Sequence, residues 1–165
     1  IIASVKKGFT LVELLVVVAI LGILAAVGIV SFGGFMGSAK ENVSKSNFDA
    51  VVKYIYLEVS KCQFGAEKIM SDYLVCPPTT FGPGIKSQII KSLRVGNNIF
   101  KNPYNNDLAV NSGNIHNEDE YVGYIGITST GNPKSYIKVK TCYKLPCSNT
   151  NNHIETLIIS DMISQ

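Results

Sequence analysis

Lys7-Gly8-Phe9-Thr10-Leu11-Val12-Glu13-Leu14-Leu15 decides how the rest of this chain is read. An apolar run continues behind it through Val30. From Phe9 to Val30, Glu13 is the one charged side chain and Thr10 the one clearly polar residue besides it. A run of this length crosses a hydrocarbon core of ~30 Å as a helix. Lys6, Lys7 and Gly8 stand directly before it. The lysines hold that end on the cytoplasmic side, which places the chain beyond Val30 on the outer side. A lone carboxylate within such a segment is costly and marks a functional position.

The remaining sequence reads as something hung on this segment. The chain has 165 residues. Roughly a hundred remain once the apolar segment and its helical continuation are set aside, enough for one small domain. Only 16% of residues are charged and the net charge is +3, so there is no general basic field of the kind nucleic-acid binding requires. Two simple accounts of the N-terminus compete. A cleaved signal peptide, with Ala26-Val27-Gly28 as its small-residue site, gives a secreted or anchored binding protein or enzyme starting near Ile29. The run is long for that purpose, and Glu13 is unwanted near its start. A plain membrane anchor explains the lysines and leaves Glu13 without a role.

Gly8-Phe9-Thr10-Leu11-Val12-Glu13, followed by an apolar helix, resembles the class III signal of type IV pilins and pseudopilins. The resemblance runs on through Gly22, Ile23, Leu24, Ala25 and Ala26, over roughly the first thirty residues. It implies cutting by a prepilin peptidase after Gly8, N-methylation of the new terminus at Phe9, and retention of Glu13. The new ammonium and the carboxylate favour each other in apolar surroundings, where each alone costs several kcal/mol to bury. The resemblance implies that Glu13 of one subunit neutralises the amine of a neighbour and sets axial register. Many members of the family carry a proline about one turn after the Ala-Ala pair. This sequence has none there and is instead rich in glycine: Gly22, Gly28, Gly33, Gly34 and Gly37. Each costs about 1 kcal/mol in a helix relative to alanine. A local break or stretch between Gly22 and Gly37 is one expectation; close helix packing through small residues is another. Ser38-Ala39-Lys40-Glu41 has the S-x-x-E form of a capping box and could restart a helix.

Downstream, Phe48, Val51, Val52, Ile55, Val59 and Cys62 recur at helical spacing, so this half is amphipathic and packs one stripe on a head. Gly65 is a stop signal. The division expected is a leader at 1–8, a membrane or filament-core half-helix at 9–32, an amphipathic half at 33–64 and a head at 65–165. Within the head, a long connection covers about 66–118, with breaks at Cys76-Pro77-Pro78, Phe81-Gly82-Pro83-Gly84 and Asn97-Asn98. A short helix is expected at Ser87–Leu93 with Ile89, Ile90 and Leu93 inward. Strands come next at Tyr121–Thr128, Ser135–Tyr143 and Ile154–Ser160, joined by turns at 129–133 and 145–152. The fold class expected is α+β: a long N-terminal helix packed against a small antiparallel sheet of about three to four strands, the pilin fold by resemblance.

Four cysteines, Cys62, Cys76, Cys142 and Cys147, in an exported chain favour two disulfides. Three pairings are open. Local pairing, Cys62 with Cys76 and Cys142 with Cys147, is the expectation, and the first loop would contribute about 3 kcal/mol on the loop-entropy argument. Zinc is the rival reading of the four cysteines, but their spacing lacks two close pairs.

No catalytic constellation or phosphate-binding loop is visible, and no cofactor or metal is expected. His116 and His153 read as exposed. Asn117-Glu118-Asp119-Glu120 has oxygen ligands that suit calcium, but a solvated acidic turn explains it better. Lys134, Lys138, Lys140 and Lys144 beside Tyr136 and Tyr143 could face DNA on a filament; a solubilising strand face is the simpler reading. The sequence therefore predicts no enzyme but a type IV pilus subunit. Its implied partners are other copies of itself, the prepilin peptidase, the pilus assembly platform and, before assembly, the bacterial inner membrane. A type II secretion pseudopilin or a minor pilin shares the same N-terminus and stays open.

Overall fold

The computed structural model describes residues 8–76, 83–95, 100–111, 113–130 and 136–159. The leader up to Lys7 lies outside these, as do Pro77, Pro78, Phe81, Gly82, Asn97 and Asn98 of the expected breaks and residues 131–133 of the expected turn. The chain divides into two compact units between Ser38 and Ala39. One helix, α1 (Leu11–Gln63), contributes to both.

In the first unit every described residue from Gly8 to Ser38 is exposed. Helix α1 starts where its sequence supplies a cap. Thr10 is the N-cap: its carbonyl accepts the first helical bond, from Leu14 N at 3.3 Å. The helix then runs unbroken through Gly22, Gly28, Gly33, Gly34 and Gly37 and through Ser38. It shows neither a break in the glycine-rich stretch nor a restart at Ser38-Ala39-Lys40-Glu41. Propagation adds one backbone bond per residue fixed, so scattered glycines weaken an established helix without stopping it. Glu41 is also engaged elsewhere, in an ion pair with Lys144 at 3.2 Å.

In the second unit the same helix carries a stripe. Phe48, Val51, Ile55 and Val59 are buried, with Val52 and Cys62 packed beside them. Gly65, at φ +85°, ends the helix. Its amide donates to Cys62 O at 3.2 Å, and that of Ala66 to Lys61 O at 3.1 Å, the paired closing bonds of a glycine-terminated helix. A short hairpin comes next, β1 (Lys68–Ile69) with β2 (Leu74–Val75). Its tip, Met70-Ser71-Asp72, lies in the left-handed region at φ 56°, 54° and 67°. The buried Glu58 carboxylate accepts from Met70 N at 2.6 Å and also pairs with Lys61, which ties the tip to α1. Helix α2 (Pro83–Val95) turns Ile85, Ile89, Ile90 and Leu93 inward.

The main sheet has the order β3-β4-β5-β6, from β3 (Val110–Asn111), β4 (Ile125–Thr130), β5 (Tyr136–Cys142) and β6 (His153–Ile159). The last three run antiparallel, whereas β3 pairs parallel to β4. Alternation puts Ile137, Val139 and Thr141 of β5 inward, against Ile125, Ile127 and Ile158 of its neighbours. The apolar residues among these, the α1 stripe and the α2 face share one core.

Four strand boundaries differ from the sequence expectation, one of them the end of β5 at Cys142 rather than Tyr143. β4 starts at Ile125 rather than Tyr121, because Asp119–Tyr121 is a single 3₁₀ turn and Gly123 at φ +77° turns the chain before the strand. Ser129 and Thr130, expected in a turn, pair with Ile137 and Tyr136. β6 begins at His153, opposite Cys142. The region read as one long connection holds the hairpin, α2 and β3.

Candidate assembly site

Gly8, Phe9 and Thr10 are exposed and precede the helix, with Phe9 84% exposed. The Gly8–Phe9 bond therefore lies outside the helical hydrogen-bond ladder. Thr10 and Glu13 close a reciprocal cap. Glu13 Oε2 accepts from Thr10 N at 2.8 Å and from Thr10 Oγ1 at 2.7 Å, while Glu13 N donates to Thr10 Oγ1 at 3.3 Å. The pattern T-x-x-E was visible in the sequence, and it is this box, not the Ser38 one, that starts the helix. Within a single chain the one acid of the apolar segment is thus held by its own helix terminus.

Behind it, the apolar side chains from Leu11 to Phe35 are exposed. By length and composition this part of α1 can cross a membrane. Gly22, Gly28, Gly33, Gly34 and Gly37 have nothing within 4 Å of where a side chain would begin. Among the described residues, no packing requires glycine at these positions.

The cysteines form two local disulfides, Cys62–Cys76 and Cys142–Cys147, with Cα separations of 5.4 and 5.8 Å. The first ties the end of α1 to the β1–β2 hairpin. The second closes the loop after β5 inside a small cluster with Ile115 and Val122. Asp119, read as part of a solvated acidic turn, instead accepts from Cys147 N at 2.7 Å. His153, expected exposed, points a ring nitrogen at Cys147 O at 2.7 Å, and its Nδ1 is buried. His116 is exposed and lies 5.3 Å from the Tyr121 ring.

The lysines of the sheet have local partners. Lys138 pairs with Glu155 at 2.8 Å across β5 and β6, and this hydrogen bond holds the Glu155 carboxyl below its ordinary value. Lys140 reaches Asn117 Oδ1 at 3.4 Å, and Lys144 pairs with Glu41. Lys134 lies outside the described residues. Around the α1 segment of this unit, Lys45 sits 4.2 Å from the centre of the Tyr143 ring and Lys40 5.5 Å from that of Tyr104. Asn47 Nδ2 donates to Lys101 O at 2.9 Å. This end of the helix is held by polar and cation–π contacts rather than by core, which a search for apolar periodicity passes over.

Two glycines matter to the head and carried no sequence signal. A side chain on Gly126 would begin 2.7 Å from Gly113 O and from Ile115 Cγ1. One on Gly123 would begin 2.8 Å from the Tyr104 ring.

Comparison with known proteins finds one family and two relatives. Residues 4–29 match the family described as the prokaryotic N-terminal methylation motif. The type IV major pilin protein PilA of Myxococcus xanthus (strain DK1622) is 49% identical over 46 residues, which is 28% of this chain and 21% of that protein. The type IV major pilin protein PilE1 of Neisseria gonorrhoeae is 32% identical over 100 residues, 58% of this chain and 51% of that protein. The chain thus spans about a fifth of the length of one relative and about half of the other. No solved structure matches. An α+β chain whose long helix begins in the prokaryotic N-terminal methylation motif, and which is similar to type IV major pilins, is type IV pilin-like.

Proposed function

We propose that this chain is the structural subunit of a type IV pilus. It is inserted in the bacterial inner membrane as a prepilin with its N-terminus cytoplasmic. Prepilin peptidase cuts it after Gly8 and N-methylates Phe9. The assembly platform then polymerises it with other copies into an extracellular filament. The observation that carries this reading is the pairing of the methylation motif with a half-helix whose apolar side chains are exposed. Lipid covers that surface before assembly, and the helices of neighbouring copies cover it afterwards. The filament interior then acts as a substitute solvent. The glycines at 22, 28, 33 and 34 fit the same picture, as places where neighbouring helices approach or where the helix stretches. DNA is not indicated as a partner.

Glu13 has two roles in this reading. In the single chain its carboxylate caps the helix through Thr10. After cutting, Phe9 carries an ammonium, and Glu13 of a neighbouring copy neutralises it and sets register.

The mass of the mature N-terminal peptide is the test. A peptide beginning at N-methylated Phe9 supports the proposal; one beginning near Ile29 overturns it in favour of an ordinary signal peptide. Glu13→Ala subunits should be cut normally but yield few filaments by electron microscopy. Normal filament numbers would remove the assigned role. Loss of surface filaments on deletion separates a pilus subunit from a pseudopilin.

A further inference from the structure

We propose that, in the dithiol state, Cys142, Cys147 and His153 form a binding site for a soft divalent metal ion such as Zn²⁺. Nothing in the pilus reading calls for this site, and the inference stands apart from it. The two Sγ atoms and a ring nitrogen of His153 all lie within 4.8 Å of one another. Both cysteines are fully buried, and His153 sits directly opposite Cys142 in the β5–β6 register. The three groups are therefore gathered by the sheet and by the loop it closes.

The hydrogen bonding sets His153 up as a ligand. Its Nε2 lies 2.7 Å from Cys147 O, and a carbonyl can only accept, so Nε2 carries the proton. That leaves Nδ1 with a bare lone pair, buried and without a hydrogen-bond partner. A histidine that donates one ring N–H to a backbone carbonyl while the other nitrogen is bare has the arrangement seen in metal-binding histidines. Two thiolates at a sequence separation of 5, with one imidazole, are ligands that suit Zn²⁺. Asp119 brings a carboxylate to the same loop through its bond to Cys147 N at 2.7 Å.

The chemistry balances with a dithiol reductant. Two electrons and two protons pass to the Cys142–Cys147 bond, the S–S bond breaks, and the reductant closes to its cyclic disulfide. Metal binding then releases the two thiol protons to solvent, while His153 contributes a lone pair. The ion would hold the loop after β5 closed in a chain whose cysteines have not yet been oxidised.

The test uses the full chain in detergent micelles, reduced anaerobically with dithiothreitol and desalted. Zn²⁺ is added, the thiols are alkylated with iodoacetamide, and the peptides are weighed. Cys142 and Cys147 should be protected while Cys62 and Cys76 are labelled, and His153→Ala should abolish the difference. Equal labelling of all four cysteines, or protection indifferent to His153→Ala, overturns the proposal. Co²⁺ gives a second readout in the Cys62→Ser/Cys76→Ser variant. One equivalent should produce a thiolate-to-cobalt charge-transfer band, with affinity reduced at least about tenfold by His153→Ala. Absence of the band also overturns it.

Discussion

The two halves of α1 are one continuous helix in two different surroundings. From Leu11 to Phe35 its apolar side chains are exposed, and the single acid caps the helix start. From Ser44 to Val59 the buried residues form a narrow stripe, and lysines and a tyrosine occupy other faces. The first half is apolar all round, as a helix in lipid or in a helical bundle must be. The second half is written for one dry face and one wet face. Backbone conformation is the same in both; what differs is which surface each sequence expects to meet.

Matched substitutions in the two halves test this contrast most strongly. Ile55→Ala removes a fully buried side chain and should cost the head about 2–5 kcal/mol. Ile23→Ala, in the same helix but 67% exposed, should leave the thermal or denaturant midpoint of the head within about 0.5 kcal/mol. Equal losses from the two would break the comparison. Within the head, Gly126→Ala comes next. The new carbon would meet Gly113 O and Ile115 Cγ1, each at 2.7 Å, so β4 or the 113–115 loop must move, at about 1–3 kcal/mol. Urea unfolding of the detergent-solubilised chain measures it; an unchanged midpoint would mean that the 113–115 segment yields freely.

The contrast between the halves was readable from the sequence because it is written in periodicity. Phe9–Val30 has no period, whereas Phe48, Val51, Ile55 and Val59 repeat along one stripe. The inward face of α2 and the alternation of β5 were legible for the same reason. The two-residue strands β1, β2 and β3 were not, since two residues show no alternation. The parallel pairing of β3 depends on contacts distant in sequence, and so do the bonds of Asp119 and Glu58 to distant amides. At the candidate site the acid in the apolar run was plain. Its bond to Thr10 was equally available as T-x-x-E, but a second match to the same pattern at Ser38 pointed to the wrong end of the glycine stretch. Pattern alone does not separate the two boxes. Position does: only Thr10 stands where the helix has open amides to cap.

That distinction gives a smaller effect. Thr10→Val keeps the shape of the side chain and removes its oxygen, so both side-chain bonds of the cap are lost. The first turn of α1 should lose about 1 kcal/mol. Amide hydrogen exchange in micelles should rise about fivefold at Glu13 and Leu14, whose amides are bonded to Thr10, and remain unchanged from Phe48 to Val59. The matching change at the other box, Ser38→Ala, should leave exchange at Ala39 and Lys40 as it was, because Ser38 lies inside a continuous helix. Faster exchange at Ala39 and Lys40 would put a helix start there after all.

The charges of the two units sharpen the comparison at its smallest scale. Glu13 is held by a hydroxyl and an amide, whereas Glu155 on the sheet is held by a cation, Lys138 at 2.8 Å. The hydrogen bond from Lys138 lowers the Glu155 pKa from its ordinary value near 4.5. A carboxylate whose folded pKa is depressed adds stability above its unfolded pKa, and that contribution is lost as pH falls through the folded value. The pair is exposed to solvent, so the gain is about a few tenths of a kcal/mol at neutral pH. Glu155→Gln should therefore be slightly less stable than the parent chain at pH 7. The difference should shrink once the pH drops well below about 4.5 and both side chains are neutral. High salt at pH 7 should reduce it in the same way. A deficit of equal size at both pH values would assign the effect to packing of Glu155 against its neighbours rather than to its charge.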